Sequence, residues 1–429
     1  MLAAVSFLLL TSCGDLVGPG GGSAFRTFAM GFTDFPHANS TFALLDAWQV
    51  IANEGDLAVL HFDGGVPWQE ALDGAPYPAS FQSSLDFKRA QVPLDHVVYL
   101  AVTPINGSRD GLAGYPSELG QVPAPPPWDG YTFDDPEVIE AYIAHCQYMI
   151  DLFDPDVFAY GIEVNMIRWL APEEWEALVD LCAAVYASLI ATYPTLPVFL
   201  TFQADTYFQF PTDQDLAIRE LAPYTDIMAV SGYPFSAPLS DPNDLRSDYF
   251  SAIADIAPQK PFGIAETAWP AEDVGWPYWQ NIPASPDSQA LYVRRILDDC
   301  DFLDALFVCW FFTRDFDDFW ETDLQFSPDA PLIRMWRDTG LYDGEGNERP
   351  GLEVWREELA RPLSWPLVVP QYARSRQRPL VHVPARHPRR LLPLLGLLGE
   401  DRLGGQKETR HARRVLERRA DDLRRVDDA

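Results

Sequence analysis

Positive charge, histidine and cysteine are all scarce in this chain of 429 residues, and each shortage excludes something. Lys and Arg number 31 against 63 Asp and Glu, a formal net charge of −32. The deficit is uneven: 16 Lys+Arg and 8 Asp+Glu fall from Arg361 onward, leaving 15 against 55 before it. Binding to nucleic acid is driven by cations that replace phosphate counterions, so so acidic a body is not expected to take a nucleic-acid partner. Through residue 360 the only histidines are His37, His61, His96 and His145, with no HxH pair for a metal-dependent hydrolase. His61 and Asp63 in HFDGG are read as cleft hydrogen-bonding groups rather than metal ligands, and no cofactor is expected. The five cysteines form no CxxC, so Cys146, Cys182, Cys300 and Cys309 read as buried free thiols. No GxGxxG follows an apolar run, no GxSxG elbow offers a nucleophilic serine, and no EF-hand loop is present.

The two ends differ from the middle. MLAAVSFLLLTSCGD opens with an apolar run too short to span a bilayer but suited to a signal h-region, although it lacks a basic n-region. Leu10-Thr11-Ser12-Cys13 resembles the lipobox of bacterial lipoproteins. That resemblance implies removal of residues 1–12, lipidation of Cys13 and an exported protein anchored to the membrane. Residues 13–24, rich in glycine, then read as a tether. At the other end, 361–429 is Arg-rich, nearly free of aromatics and without an amphipathic period, so a disordered extension is expected.

Between them, in 25–360, short apolar runs alternate with helical patterns. The runs are TFAMGF (27–32), LAVLHF (57–62), VVYLAVT (97–103), VFAYGI (157–162), VFLTF (198–202), IMAVS (227–231), FGIA (262–265) and ALFVCWFF (305–312). Runs apolar on both faces belong to parallel strands covered by helices. Eight of them over this length predict a (β/α)8 TIM barrel, an α/β fold in a single domain, whose active site lies at the C-terminal strand ends.

Those ends are unusually polar and aromatic. They carry Asp34, His61 and Asp63, Asn106 and Arg109, Glu163 and Asn165, Tyr233, Glu266 and Trp310. Trp68, Trp128, Trp169, Trp269 and Trp276 stand at or beyond strand ends as well, where flat faces suit pyranose rings. The loop at 115–133, rich in Pro and aromatics, reads as a wall of the cleft. Glu163 and Glu266 lie three βα units apart, so ring closure is expected to lean both over one mouth. Two facing carboxylates suit glycoside cleavage, with about 5–5.5 Å between them for retention and about 6.5–9.5 Å for inversion.

The motif order resembles that of the retaining (β/α)8 glycosidases, and most nearly the endo-β-1,4-galactanases (arabinogalactan galactanases). YGIEVN at 160–165 is similar to their strand-four acid/base motif, GIAETAWPAE at 263–272 to their nucleophile strand and SGYPF at 231–235 to their strand-six tyrosine segment. DTGLYDGEGNERPGLEVW at 338–355 resembles the closing segment of that clan. The resemblance implies a proton donor at Glu163, a nucleophile at Glu266, a carbohydrate substrate, and sugar contacts from Tyr233, Trp310, Trp269 and the polar strand ends. One departure is Ile162, where these enzymes generally carry the Asn that contacts the sugar 2-hydroxyl; Asn165 or Asn106 is the expected substitute. Arg109 is a candidate by chemistry alone for the clan's strand-two arginine. The departure leaves a second reading open, a surface lipoprotein that binds glycan without cleaving it.

Overall fold

A computed structural model describes residues 24–117, 120–236, 239–275, 282–327 and 330–364. The lipobox, the tether, Trp276 and the Arg-rich extension beyond Ser364 lie outside the described residues.

Eight parallel strands close into a barrel: β1 (Ala29–Thr33), β2 (Leu57–Phe62), β3 (Val97–Val102), β4 (Val157–Ala159), β5 (Val198–Gln203), β6 (Met228–Gly232), β7 (Phe262–Thr267) and β8 (Phe307–Trp310). Each pairs with its sequence neighbours, and β1 closes on β8 through the register Ala29 to Phe307. A short antiparallel hairpin, Tyr115–Ser117 with Gly120–Val122, stands on the loop after β3. Every strand residue of β1, β3, β4, β6, β7 and β8 is buried, which is why the runs lack an apolar–polar alternation.

Alternation is still present as a sorting of apolar side chains into two cores. Leu57, Val59, Tyr99, Ala101, Phe199, Ala229, Phe307 and Cys309 fill the barrel, while Leu60, Leu100, Phe158, Leu200, Val230 and Val308 face the helices. Tyr99, Phe199 and Phe307 meet inside with ring centroids 5.0–5.8 Å apart. Gly263 makes room for them, since a Cβ there would stand 2.6 Å from the Phe307 ring. The four described cysteines are buried free thiols.

The helical layer includes Thr41–Glu54, Pro136–Phe153, Trp175–Thr192, Pro211–Leu221, Pro286–Phe302 and Pro350–Leu359. The last of these closes on the end of the first, where Trp355 Nε1 donates to the Glu54 carbonyl at 2.7 Å and Arg356 clasps the Glu54 carboxylate. Residues after 360 are tied to the start of the barrel, Arg26 N donating to Pro362 O and Ser364 N to Arg26 O.

Beyond β8, Asp315 is spent on architecture. Its carboxylate holds Arg349 and the Gly340 N–H, and Arg349 also donates to the carbonyls of Asp338 and Gly340. Both side chains are almost fully enclosed, so removing Asp315 leaves buried Arg349 with only the solvent-exposed Glu272 carboxylate as its counter-charge. Asp315→Ala is therefore expected to lower the free energy of unfolding by about 3–5 kcal/mol, measured by urea titration.

Candidate active site

The two glutamates reach the barrel mouth by different departures from regular strand geometry. On β4 the regular ladder ends at Ala159; beyond it Thr201 N still donates to Gly161 O, and threonine hydroxyls on either side take the next N–H groups. Thr103 Oγ1 accepts from Ile162 N at 3.3 Å and Thr201 Oγ1 from Glu163 N at 2.8 Å. Ile162 packs into the barrel core, and Glu163 turns in the left-handed region at φ 52°. A non-glycine residue held there costs on the order of 1–3 kcal/mol and persists where its surroundings over-determine it. Facing it, Arg109 (φ 59°) donates from Nε to Glu163 Oε2 at 3.2 Å and from Nη1 to Asn106 O.

On β7 the device is a bulge. Ile264 pairs with both Val230 and Val308, and Thr267 with both Gly232 and Trp310. Two residues, Ala265 and Glu266, thus occupy the space of one on each neighbouring strand. Ala265 belongs to the barrel interior, whereas Thr267 Oγ1 faces out, bonding Gly232 O and the Tyr292 hydroxyl of helix Pro286–Phe302. Strict alternation would send Glu266 outward too. The extra residue lets it follow Ala265 inward, a use of bulges common beside active sites.

Inside, each oxygen of Glu266 has one partner. Tyr233 Oη donates to Oε2 at 2.9 Å, and His61 Nε2 lies 3.0 Å from Oε1. Tyr233 is anchored through its backbone N–H to Asp205 Oδ2 at 2.9 Å, and Asp205 also accepts from the Tyr249 hydroxyl and Gln203 Nε2. Burial pushes Asp205 up to about 6.

Electrostatically the cleft is one unit. Loss of solvent, reinforced by the Glu266 charge and offset by Arg109 and His61, pushes Glu163 up to about 7. Burial alone would lower His61, but the Glu266 carboxylate outweighs it and holds the imidazole above its ordinary value. Arg109 follows the same balance, burial opposing and Glu163, Asp63 and Glu266 favouring its charge. Among the described residues no group of three or more His, Cys, Asp or Glu is disposed to hold a metal ion.

Several expected sugar contacts are placed elsewhere. Asn165 is wholly buried and its amide is saturated, donating to Gln203 O and Gln214 Oε1 and accepting from Gln203 N. Trp310 points out of the barrel, its Nε1 on Thr339 O, and Trp269 is enclosed against Tyr292 and Phe235. Asp34 is buried in an ion pair with Lys88 at 2.7 Å. The Asn106 amide is held by Asp110 within its own loop, and Asp63 is exposed at the rim. Trp68 and Trp128 are buried and stack on each other at 5.7 Å.

Phe311 is the aromatic side chain that the sequence reading missed. It lies edge-on to His61 at 5.2 Å and to Tyr233 at 6.4 Å, against both partners of Glu266. Trp336 packs on the other side of Tyr233 at 5.4 Å. Phe307 and Cys309 both face the interior, so counting two more from Cys309 would have found Phe311 and turned Trp310 outward. Thr201 and Asp205 carried no comparable signal.

No protein-family model and no curated protein matches this sequence. Solved structures do. An exo-β-1,4-mannosidase from Opitutaceae bacterium strain TAV5 is 16% identical, with a TM-score of 0.57 over 82% of this chain and 62% of its own. A GH5_18 protein from Streptomyces cattleya, solved with GlcNAc, is 16% identical, with a TM-score of 0.56 over 80% of this chain and 83% of its own. The GH53 catalytic domain of Ignisphaera aggregans is 19% identical over 73% of this chain and 88% of its own, with a TM-score of 0.46. The first two likenesses agree with the strand order: the chain has the (β/α)8 barrel fold found in glycoside hydrolases.

Proposed function

We propose that this chain is a retaining glycoside hydrolase acting on a β-linked glycan, with Glu163 as acid/base and Glu266 as nucleophile. One observation carries the reading: a carboxyl group raised to about 7 shares the barrel mouth with a second carboxylate whose two oxygens are held by Tyr233 and His61. Environments that split two acids into a proton donor and an anion are what this chemistry requires.

In the first step the Glu163 proton passes to the glycosidic oxygen as the bond to the anomeric carbon breaks. A Glu266 oxygen closes on that carbon to give a glycosyl ester. In the second step Glu163, now a carboxylate, takes a proton from water, the water oxygen attacks the anomeric carbon, and Glu266 leaves. Tyr233 and His61 orient the attacking carboxylate, and Phe311 between them offers a ring face to the sugar. Arg109 has a double effect: it fixes the Glu163 carboxyl and opposes its protonation.

Substrate class rests on the galactanase-like motifs and on the named activity of the mannosidase neighbour, which make β-1,4-galactan and β-1,4-mannan the first to try. The exported, lipid-anchored location rests on the lipobox alone. The binding-only reading is favoured by Ile162, because Asn165 has both amide donors engaged and the Asn106 amide is tied to Asp110 within its own loop.

Glu266→Ala is expected to abolish release of reducing sugar from the glycan that the wild type cuts, with its circular dichroism unchanged. Full activity in that variant would exclude the nucleophile. Glu163→Gln should slow kcat by about 10²–10⁴-fold on substrates whose leaving group needs a proton. The loss should be far smaller for the first step on a 2,4-dinitrophenyl glycoside, whose leaving group needs none. A proton donor at about 7 places the alkaline limb of the kcat/KM profile near pH 7. Because Arg109 lowers Glu163, Arg109→Met should move that limb upward; an unmoved limb would separate Arg109 from the donor.

A further inference from the structure

The buried Asn165 raises the question of what its saturated amide accomplishes. It ties the loop after β4 to the loop after β5: Asn165 donates to Gln203 O and Gln214 Oε1, Gln203 N donates to Asn165 Oδ1, and Gln214 Nε2 to Asn165 O. Two more links reinforce it, Thr206 Oγ1 to Met166 Sδ at 2.9 Å and Arg168 to Asp213 at 3.0 Å. The clasp brings together two aromatic rings from different loops, Trp169 and Phe210, with centroids 5.4 Å apart. Unlike Trp68, Trp269 and Trp310, these rings are open to solvent, 41% and 36% exposed.

Both rings belong to the end of the barrel that carries the glutamates. Trp169 lies on the short helix Met166–Leu170, whose first N–H is bonded to Glu163 O. Phe210 joins the short helix Ala204–Gln209, which follows β5 directly, to helix Pro211–Leu221. On the same helix Ala204–Gln209, Tyr207 packs on Phe208, Phe208 stacks on Tyr249 at 5.4 Å, and Tyr249 shares Asp205 with Tyr233.

The geometry points to Trp169 and Phe210 as a distal subsite that stacks sugar residues of a neutral glycan beyond those flanking the scissile bond. This deepens the glycosidase reading and rests on it. Neutrality follows from charge: Glu173 and Glu174 follow on the same loop, while Arg168 is already paired with Asp213 and Arg219 with Asp215. A uronate would be repelled, whereas an uncharged pyranose presents an apolar face to the rings and hydroxyls to water. Rings held in place by a buried clasp lose little freedom when a sugar settles on them.

The test uses the full chain carrying Glu266→Gln, so that no probe is consumed. Calorimetric titration compares β-1,4-linked disaccharides and hexasaccharides of galactose and of mannose. The parent is expected to bind one hexasaccharide more tightly than the disaccharide of the same sugar. Adding Trp169→Ala and Phe210→Ala should weaken the hexasaccharide about tenfold and erase the gain with length. A gain with length that survives both substitutions overturns the subsite and leaves the glycosidase reading standing. No binding of any probe by the parent overturns both. A sedimentation dimer that Trp169→Ala dissolves would make the rings an interface between copies and also overturn the proposal. Matched thermal midpoints of parent and variants tie the loss to the rings rather than to the fold.

Discussion

A parallel strand sends alternate side chains to opposite faces, and both cleft acids stand where this rule is broken. Glu266 depends on one surplus residue in β7 and Glu163 on a left-handed turn just past the last paired residue of β4. Without these two irregularities the barrel would still close, since its interior is already filled by Tyr99, Phe199 and Phe307. The mouth, however, would lack opposed carboxylates. The backbone strain and interrupted hydrogen bonding are stabilised locally by Thr103, Thr201 and the ion pair with Arg109.

The same devices explain how acids of one kind come to differ. Glu266 meets a phenol at one oxygen and an imidazole at the other. Glu163 loses most of its solvent and faces the Glu266 charge, against which Arg109 and His61 act, and the balance raises it to about 7, so that it holds a proton part of the time at neutrality. Asp205, beneath Tyr233, extends the network to the loops after β5 and β6. A difference in environment between two identical side chains is thus built from at least five separate strand ends.

What was legible in the sequence follows from the same physics. Strand positions were readable because an apolar run buried on both faces has few other destinations, and four of the eight runs contain their strand entire, the other four stopping one or two residues short of its end. The glutamates drew attention because each ends an apolar run and three βα units separate them, a spacing that ring closure is expected to bring over one mouth. Side-chain direction was harder. ALFVCWFF is apolar throughout, so composition could not say whether Trp310 or Phe311 faced in; only a count from Cys309 separates them. Asn165 looked like a sugar ligand because a polar residue near an acid suggests a site, yet its partner Gln214 lies 49 residues away, a pairing no local pattern reveals. Thr201 and Asp205 were silent for the same reason, their roles being defined by residues on neighbouring strands.

The central claim is that Glu266 forms a covalent bond to the anomeric carbon. It is tested most directly by incubating the full chain with 2-deoxy-2-fluoro-β-galactosyl and β-mannosyl fluorides and sequencing the labelled peptide by mass spectrometry. The account predicts a single fluoroglycosyl increment on Glu266 within the FGIAET segment. An increment on Glu163, or turnover of either fluoride with no labelled peptide, would contradict it.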